Sequence, residues 1–502
     1  MPNKVVPGAQ KAFLLAIDQG TSSSRAVIYD RDATPVASAQ QEFAQIYPQP
    51  GWVEHDPEEI WTSVQNVTRQ AMKDAGVTAA EIAGIGITNQ RETTLIWDRR
   101  NGRCIHNAIV WQDRRTAAQT DALQRDGAER LIIDKTGLRL DPYFSATKVA
   151  WILDNVEGAR ALADDGRLAF GTVDCFLLWR LTGGEVHATD ASNASRTMLF
   201  NIHTQYWDDE LLQLFDVPAS MLPDVRDSAS DFGITDVETV GGRVPVCGTA
   251  GDQQAALIGQ AGFDYGTTKS TYGTGCFAIA NTGAKAIESR NQLLTTVASR
   301  IDGVVTYGLE GSVFVAGSAL QWLRDELRII DSAPQTEEVA KRTGIVDDVY
   351  VVPAFAGLGA PYWDPHARGA IVGLTRGSGS DQIVTATLQA VAFQTRDLID
   401  AMADDGISPS VIRVDGGMVA NEWFLQFLAD ILDITVERPA NVESTVLGAA
   451  YLAALQCGLL DDVQQAAALW QREAVFEPSM SGDQRGALLA GWAEAVSRVR
   501  GA

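Results

Sequence analysis

Ile17-Asp18-Gln19-Gly20-Thr21-Ser22-Ser23-Ser24-Arg25 is the stretch that decides how this chain is read. Apolar residues 13–16 precede it and residues 26–29 follow, so both flanks read as short strands. The glycine and hydroxyl segment between them is then a hairpin turn rather than the opening of a helix. Such a turn aims backbone N–H groups and the hydroxyls of Thr21, Ser22 and Ser23 at one point, which suits a phosphate. Asp18 can reach a magnesium ion on that phosphate, and Arg25 adds a planar cation within reach of the same anion. A second copy, Ser270-Thr271-Tyr272-Gly273-Thr274-Gly275-Cys276-Phe277, lies far downstream. Two such hairpins imply a nucleotide held between two related halves.

The 502 residues are too many for one hydrophobic core, and two large domains are expected. A hydrophobic content of 46% with 21% charged residues is that of a globular chain. The formal charge of −24 repels nucleic acid and anionic membranes, so neither is an expected partner, and a neutral second substrate suits it better than an anion. Cys104, Cys175, Cys247, Cys276 and Cys457 are scattered and odd in number, which reads as buried thiols in a reducing, cytoplasmic compartment. Five histidines without ligand spacing argue against zinc, and no apolar run is long enough to span a bilayer.

Residues 1–12 read as a disordered leader, residues 13–258 as the first half and residues 259–502 as the second, with the boundary in the glycine-containing stretch 259–267. Asp56-Pro57-Glu58-Glu59 starts a helix with a capping aspartate, a proline at the first position and acids in the first turn. Ile60, Val64, Val67 and Ala71 fall on one face of it, and Gly76 ends it. A strand over residues 82–88 leads to Asn89-Gln90-Arg91-Glu92, and residues 93–97 and 108–111 flank a turn at Asn101-Gly102. Another strand, over 243–247, leads to Gly251-Asp252-Gln253-Gln254 and a helix ending near Gly259. Downstream, a helix is expected over 320–330, with Leu320, Leu323, Leu327 and Ile330 on one face, and a longer one over 381–402. A strand over 411–414 then runs into Asp415-Gly416-Gly417 and a helix near Asn421. Strand, glycine turn and helix recur in both halves, as a duplicated α/β unit would give.

Asp-x-Gly-Thr also occurs in aspartic proteases, which need a carboxylate in each half to share a proton. Tyr272-Gly273-Thr274 offers none at the matching place, so the protease reading falls. Asp252 reads equally as a helix N-cap and as a carboxylate on the cleft floor that takes a proton from an attacking hydroxyl. Arg91, Glu92, Trp111 and Tyr143 supply a fork of donors, a carboxylate and two aromatic faces, which could hold a small polyol; each alone is equally an ordinary ion pair or core ring. Gly317 with Gln321, and Gly416-Gly417 with Asn421, mark places where backbone can approach a flat ligand, or merely a conformational need for glycine. No Walker loop is present.

The strings IDQGTSSSRAV, GITNQRETT, AIVWQDRRT, DPYFSATKVAWIL, NASRTMLFNI, AGDQQAALIGQ, TYGTGCF, VVPAFAGLGAPYWDP and RVDGGMVAN run in order through most of the chain. Together they resemble bacterial members of the FGGY family of carbohydrate kinases that phosphorylate glycerol. FSATKVAWIL and the stretch 369–397 are similar to that family's two signature patterns. The resemblance implies two actin-like, ribonuclease-H-like α/β domains with ATP and Mg2+ in the cleft between them. It implies a nucleotide site of Thr21, Ser22, Ser23, Arg25, Thr274, Gly317, Gln321, Gly417 and Asn421, with Asp18 near the metal. The glycerol pocket would comprise Arg91, Glu92, Trp111, Tyr143, Asp252, Gln253 and Phe277, with Asp252 as the base. The expected activity is transfer of the ATP γ-phosphoryl to glycerol, giving sn-glycerol 3-phosphate and ADP. A kinase for another polyol or ketose, and an ATPase of the actin and Hsp70 type, are the alternatives. A homo-oligomer, dimer or tetramer, is the expected assembly. Ser22 replaces a threonine common in relatives, and residues 237–244 read V-E-T-V-G-G-R-V, without the lysine or histidine through which some members are regulated.

Overall fold

The computed structural model describes residues 12–355, 357–364 and 366–500, so all but the last residue of the expected leader lies outside it. Two mixed sheets organise the chain. The first is built from β1 (Phe13–Gln19), β2 (Ser23–Tyr29), β3 (Pro35–Glu42), β4 (Ile82–Asn89) and β5 (Val246–Gly251), in spatial order β5-β4-β1-β2-β3. β1, β2 and β3 are antiparallel neighbours, whereas β4 lies parallel to β1 and β5 parallel to β4. Parallel neighbours need long crossovers, and β4, buried along its whole length, is a nearly continuous apolar run covered on both faces.

The second sheet repeats the plan. β6 (Thr268–Tyr272), β7 (Cys276–Gly283), β8 (Leu294–Ile301), β9 (Val304–Val313), β10 (Val411–Asp415), β11 (Thr435–Pro439) and β12 (Arg472–Phe476) lie in the order β8-β9-β7-β6-β10-β11-β12. Its inner five, β9-β7-β6-β10-β11, match the first sheet strand for strand: a hairpin, a third antiparallel strand, then two parallel strands on the other side. The duplication expected from the sequence is therefore present in the topology.

Helix α1 (Pro57–Ala75) covers the first sheet as its sequence dictates. The Asp56 carboxylate accepts from the Glu58 N–H, Ile60, Val64, Val67 and Ala71 are buried, and Gly76 closes the helix at φ 67°. Two helices set the cleft floor: α2 (Asp252–Gly259), straight after β5, and α6 (Ser444–Cys457), apolar almost all round and buried. Between them along the chain come α3 (Gly317–Asp325), α4 (Ser380–Asp404) and α5 (Glu422–Leu432). Although α6 belongs to the second half by sequence, it packs on β1, β4 and β5 of the first sheet and crosses α2. The crossing is backbone on backbone: a Cβ on Gly448 would lie 1.8 Å from the Ala255 carbonyl oxygen, and one on Gly259 would lie 2.0 Å from that of Ser444.

Three expected boundaries move. The 320–330 helix runs from Gly317 to Asp325; the chain turns at Arg328, φ 55°, which leaves Leu327 exposed and returns Ile330 to the core. The 243–247 strand starts at Val246, because Pro245 has no N–H for the ladder, and continues to Gly251. Asp252 is consequently the first helical residue of α2, with Gly251 in the capping position, so the N-cap reading of Asp252 does not hold.

Helix propensity alone predicts that Gly448→Ala stabilises by about 1 kcal/mol. The contact with Ala255 predicts the opposite, a loss of about 1–3 kcal/mol or more, because backbone cannot rotate away as a side chain can. A denaturant titration that finds the variant more stable would contradict the crossing.

Candidate active site

The two hairpins are closed in related ways. Residues 20–22 link β1 to β2, closed by the Gly20 N–H on the Ser23 carbonyl at 2.9 Å; residues 273–275 link β6 to β7, with the Gly273 N–H on the Gly275 carbonyl at 2.9 Å. Asp18 and Arg25 are cross-strand partners at the base of the first turn. Burial first, then the charges of Asp252 and Glu443, push the Asp18 carboxyl up to about 7 from its ordinary 3.8, against the pull of Arg25. Arg25 is not the free cation its sequence position suggests: one guanidinium nitrogen pairs with Glu443, which directly precedes α6, and another donates to Gln40 at 2.7 Å.

The second turn is tied to the start of α3. The Thr274 carbonyl accepts from the N–H groups of Ala316 and Ser318 at 3.0 and 3.1 Å, and the Gly273 carbonyl accepts from that of Gly317 at 2.9 Å. A Cβ on Gly317 would come within 2.5 Å of the Gly273 oxygen, so glycine is required there. Gln321 lies one turn along α3, exposed. Gly416, φ 91°, passes equally close to the Tyr272 carbonyl, while Gly417 beside it faces open space. Asn421 caps α5 through its bond from the Phe424 N–H at 2.9 Å. Thr274, Gly317, Gly417 and Asn421, scattered over nearly 150 residues, thus gather near the ends of β6 and β10, with Gln321 one turn along α3.

Arg91 and Glu92 follow β4 in the first half, and a charge network grows from them. Arg91 donates to Glu310 on β9 through two nitrogens, at 2.5 and 2.9 Å, and its Nε lies 3.0 Å from Asp252 Oδ1. Arg196 Nε donates to Glu92 at 2.6 Å, and its Nη2 lies 3.2 Å from Glu310. All four of Arg91, Glu92, Arg196 and Glu310 are buried. Burial alone would raise Glu310, but Arg196 and Arg91 overcome it and hold the group at about 2. Burial raises Glu92, with the same two arginines opposing. Glu92 also sits at φ 59°, unusual for a residue with a Cβ, with its carbonyl accepting the hydroxyls of Thr94 and Ser145.

Aromatic rings complete the pocket. Trp111 meets Tyr143 and Phe277 edge-on, with centroids 5.5 and 6.4 Å apart, and its indole N–H donates to the Thr21 hydroxyl at 2.9 Å. Lys148, with its pKa pushed down to about 7 by burial, donates to the carbonyls of Pro142, Tyr143 and Phe144 and so holds the turn that presents Tyr143. Every residue the sequence nominated for a polyol pocket therefore converges with the others. Sequence reasoning missed Arg196, Glu310 and Lys148, and also Lys269 on β6, which donates to the Gln253 side chain and to the Phe277 carbonyl. Glu310 left the clearest signal, a lone carboxylate inside the strand V-V-T-Y-G-L-E-G-S-V.

At Asp252, Oδ1 is occupied by the Arg91 Nε and the Gln253 N–H, the latter at 2.7 Å. Oδ2 carries no partner among the described residues. One carboxylate oxygen is thus anchored and the other is open to a ligand, beside two phosphate-suited turns and a ring-lined pocket.

Phosphate-suited turns in two duplicated halves, beside a carboxylate and a cluster of rings, are what a sugar or polyol kinase needs. The model of the FGGY family of carbohydrate kinases, N-terminal domain, matches residues 13–259, and its C-terminal domain matches residues 268–457; the chain belongs to this family. It is 61% identical over 489 residues to a glycerol kinase of Ectopseudomonas mendocina, covering 97% of this chain and 99% of that protein. To glycerol kinase 1 of Pseudomonas aeruginosa it is 59% identical, covering 97% and 99%. The crystal structure of Plasmodium falciparum glycerol kinase with ADP superposes with a TM-score of 0.91 at 37% identity, covering 97% of this chain and 98% of that one.

The raised carboxyl of Asp18 carries a pH signature. A group that keeps its proton to about 7 when folded but loses it near 3.8 when unfolded makes folding less favourable as pH climbs through that interval, and adds no further slope above it. In metal-free buffer, Asp18→Asn is expected to match wild type near pH 4 and to exceed it in stability by pH 8, as read from denaturant midpoints. A wild-type chain that gains on the variant over the same range contradicts the assignment.

Proposed function

We infer that this chain transfers the terminal phosphoryl group of ATP to glycerol, giving sn-glycerol 3-phosphate and ADP. The observation that carries the reading is Trp111, whose indole N–H holds the Thr21 hydroxyl of the first phosphate turn while its ring meets Tyr143 and Phe277. One side chain thereby sets the distance between the phosphate end and the alcohol end of the reaction. The high identity to glycerol kinases supports the choice of alcohol.

In this reading, residues 13–258 carry the glycerol pocket and the first turn, and residues 259–502 carry the second turn and the adenosine site. Thr21, Ser22, Ser23 and Thr274 grip the phosphates; Gly317, Gln321, Gly417 and Asn421 line the adenosine. Glycerol lies against Trp111, Tyr143 and Phe277, with its hydroxyls on Glu92, Gln253 and Asp252. Asp252 Oδ2 accepts the hydroxyl proton as the alcohol oxygen forms its bond to phosphorus and the bond from phosphorus to the ADP oxygen breaks. Because such transition states are loose, aiming the alcohol counts for more than early proton removal. Arg25 is released from Glu443 to meet the transferring phosphoryl, and closure of the cleft keeps water from taking the alcohol's place.

A divalent cation fits this site. The Asp252 carboxylate is close enough to disfavour charge on Asp18, and magnesium takes one or two carboxylates together with substrate phosphate oxygens. Asp18 would hold it, and when bound it would supply neutralising charge at the phosphates. The nucleotide and polyol are the expected partners; among the described residues no helix is long and apolar enough to cross a membrane.

ADP release should rise sharply when glycerol is added and respond far less to dihydroxyacetone, xylulose or erythritol. Asp252→Asn should lower kcat by about 10²–10⁴-fold with ATP affinity little changed. Near-normal turnover in that variant would remove Asp252 from the role. ADP production indifferent to glycerol would favour the actin and Hsp70 type of ATPase.

A further inference from the structure

Lys269, on β6, is buried on the cleft floor among the carboxylates of Asp252, Glu310 and Asp415. Its Nζ donates to Gln253 Oε1, to Thr271 Oγ1 at 2.9 Å and to the Phe277 carbonyl at 3.4 Å. An ammonium has three protons and no lone pair, so three acceptors saturate it. It is therefore not a spare cation for phosphate. What it does instead follows from where its partners stand: Gln253 is on α2, which continues the first sheet's last strand, and Phe277 is on β7 of the second sheet.

Because Lys269 can only donate, it fixes which end of the Gln253 side chain faces it. The amide oxygen is held, and the Nε2 hydrogens, which have no partner among the described residues, are the end left for a ligand. Beside them, Asp252 Oδ2 and Glu92 Oε2 can only accept while ionised. A hydroxyl both donates and accepts, so a pocket of carboxylate oxygens alone would leave its lone pairs unmatched.

We propose that Lys269 is a positioning residue of the polyol pocket, locking the Gln253 amide so that its NH2 group donates to a substrate hydroxyl oxygen. The inference rests on the glycerol reading above and deepens it. Without Lys269 the amide is free to turn over and present its carbonyl, a second acceptor, to the same hydroxyl.

Kinetics of two variants test this, alongside wild type in the same assay. Lys269→Met removes the clamp and should raise the KM for glycerol about tenfold, the loss of one good hydrogen bond, with a smaller change in kcat. ADP affinity without glycerol should stay within about twofold of wild type. Gln253→Glu keeps an oxygen for Lys269 but replaces the donor by an acceptor; it should raise the KM for glycerol at least as much, with the thermal midpoint unchanged or higher. If Lys269→Met does not fold, Gln253→Glu decides. A wild-type KM in Gln253→Glu, or in a folded Lys269→Met, overturns the proposal. A Lys269→Met chain whose ADP affinity falls as far as its glycerol affinity overturns it too, since that is a general loosening of the cleft. Wild type that does not phosphorylate glycerol at all strikes the functional reading itself, and this proposal with it.

Discussion

Glu310 reaches from the second sheet to two guanidinium groups of the first half, Arg91 and Arg196, on the floor of the cleft. All three are buried, and an ion taken from water without a partner costs several kcal/mol, so none of the three can leave without stranding the others. The same arginines hold the groups of the proposed polyol pocket: Arg91 anchors one oxygen of Asp252, and Arg196 anchors one oxygen of Glu92. The network thus joins the halves through Glu310, both of whose oxygens are engaged, and holds Asp252 and Glu92 by one oxygen each. Its contribution is position rather than stability, since buried ion pairs gain little net energy over apolar packing.

The glycine crossing of α2 and α6 supplies the matching mechanical constraint. Gly259 and Gly448 let the two helices touch through backbone, which sets the start of α2, and with it Asp252, relative to the first sheet. Glu443, one residue before α6, holds Arg25 beside the turn at residues 20–22. In the proposed reaction, a charged substrate that displaces Glu443 from Arg25 would act on the end of the helix that forms the floor. The Arg25–Glu443 pair is partly exposed and worth little by itself, so the exchange is an inexpensive one.

Much of this was legible in the sequence where the signal is local. The two hairpins could be read because an apolar run stands on each side of a glycine and hydroxyl turn. Helix α1 could be read because Asp56, Pro57 and Gly76 fix both its ends within 21 residues of chain. At position 252 the sequence leaves the helix register one residue off, because Pro245 delays the strand before it. Arg196, Glu310 and Lys269 were not read, since each draws its meaning from partners in the other half. Arg91 and Glu310 are 219 residues apart, and no period or motif links them. Arg25 was misjudged for the same reason: Glu443 can be seen beside it only once the chain is folded.

The most direct test is a crystal structure with a non-hydrolysable ATP analogue and glycerol bound together. The account predicts the β- and γ-phosphates between the turns at residues 20–22 and 273–275, with glycerol against Trp111 and Phe277 and one terminal hydroxyl on Asp252. A polyphosphate chain bound away from both turns, or glycerol out of reach of Asp252, would contradict it.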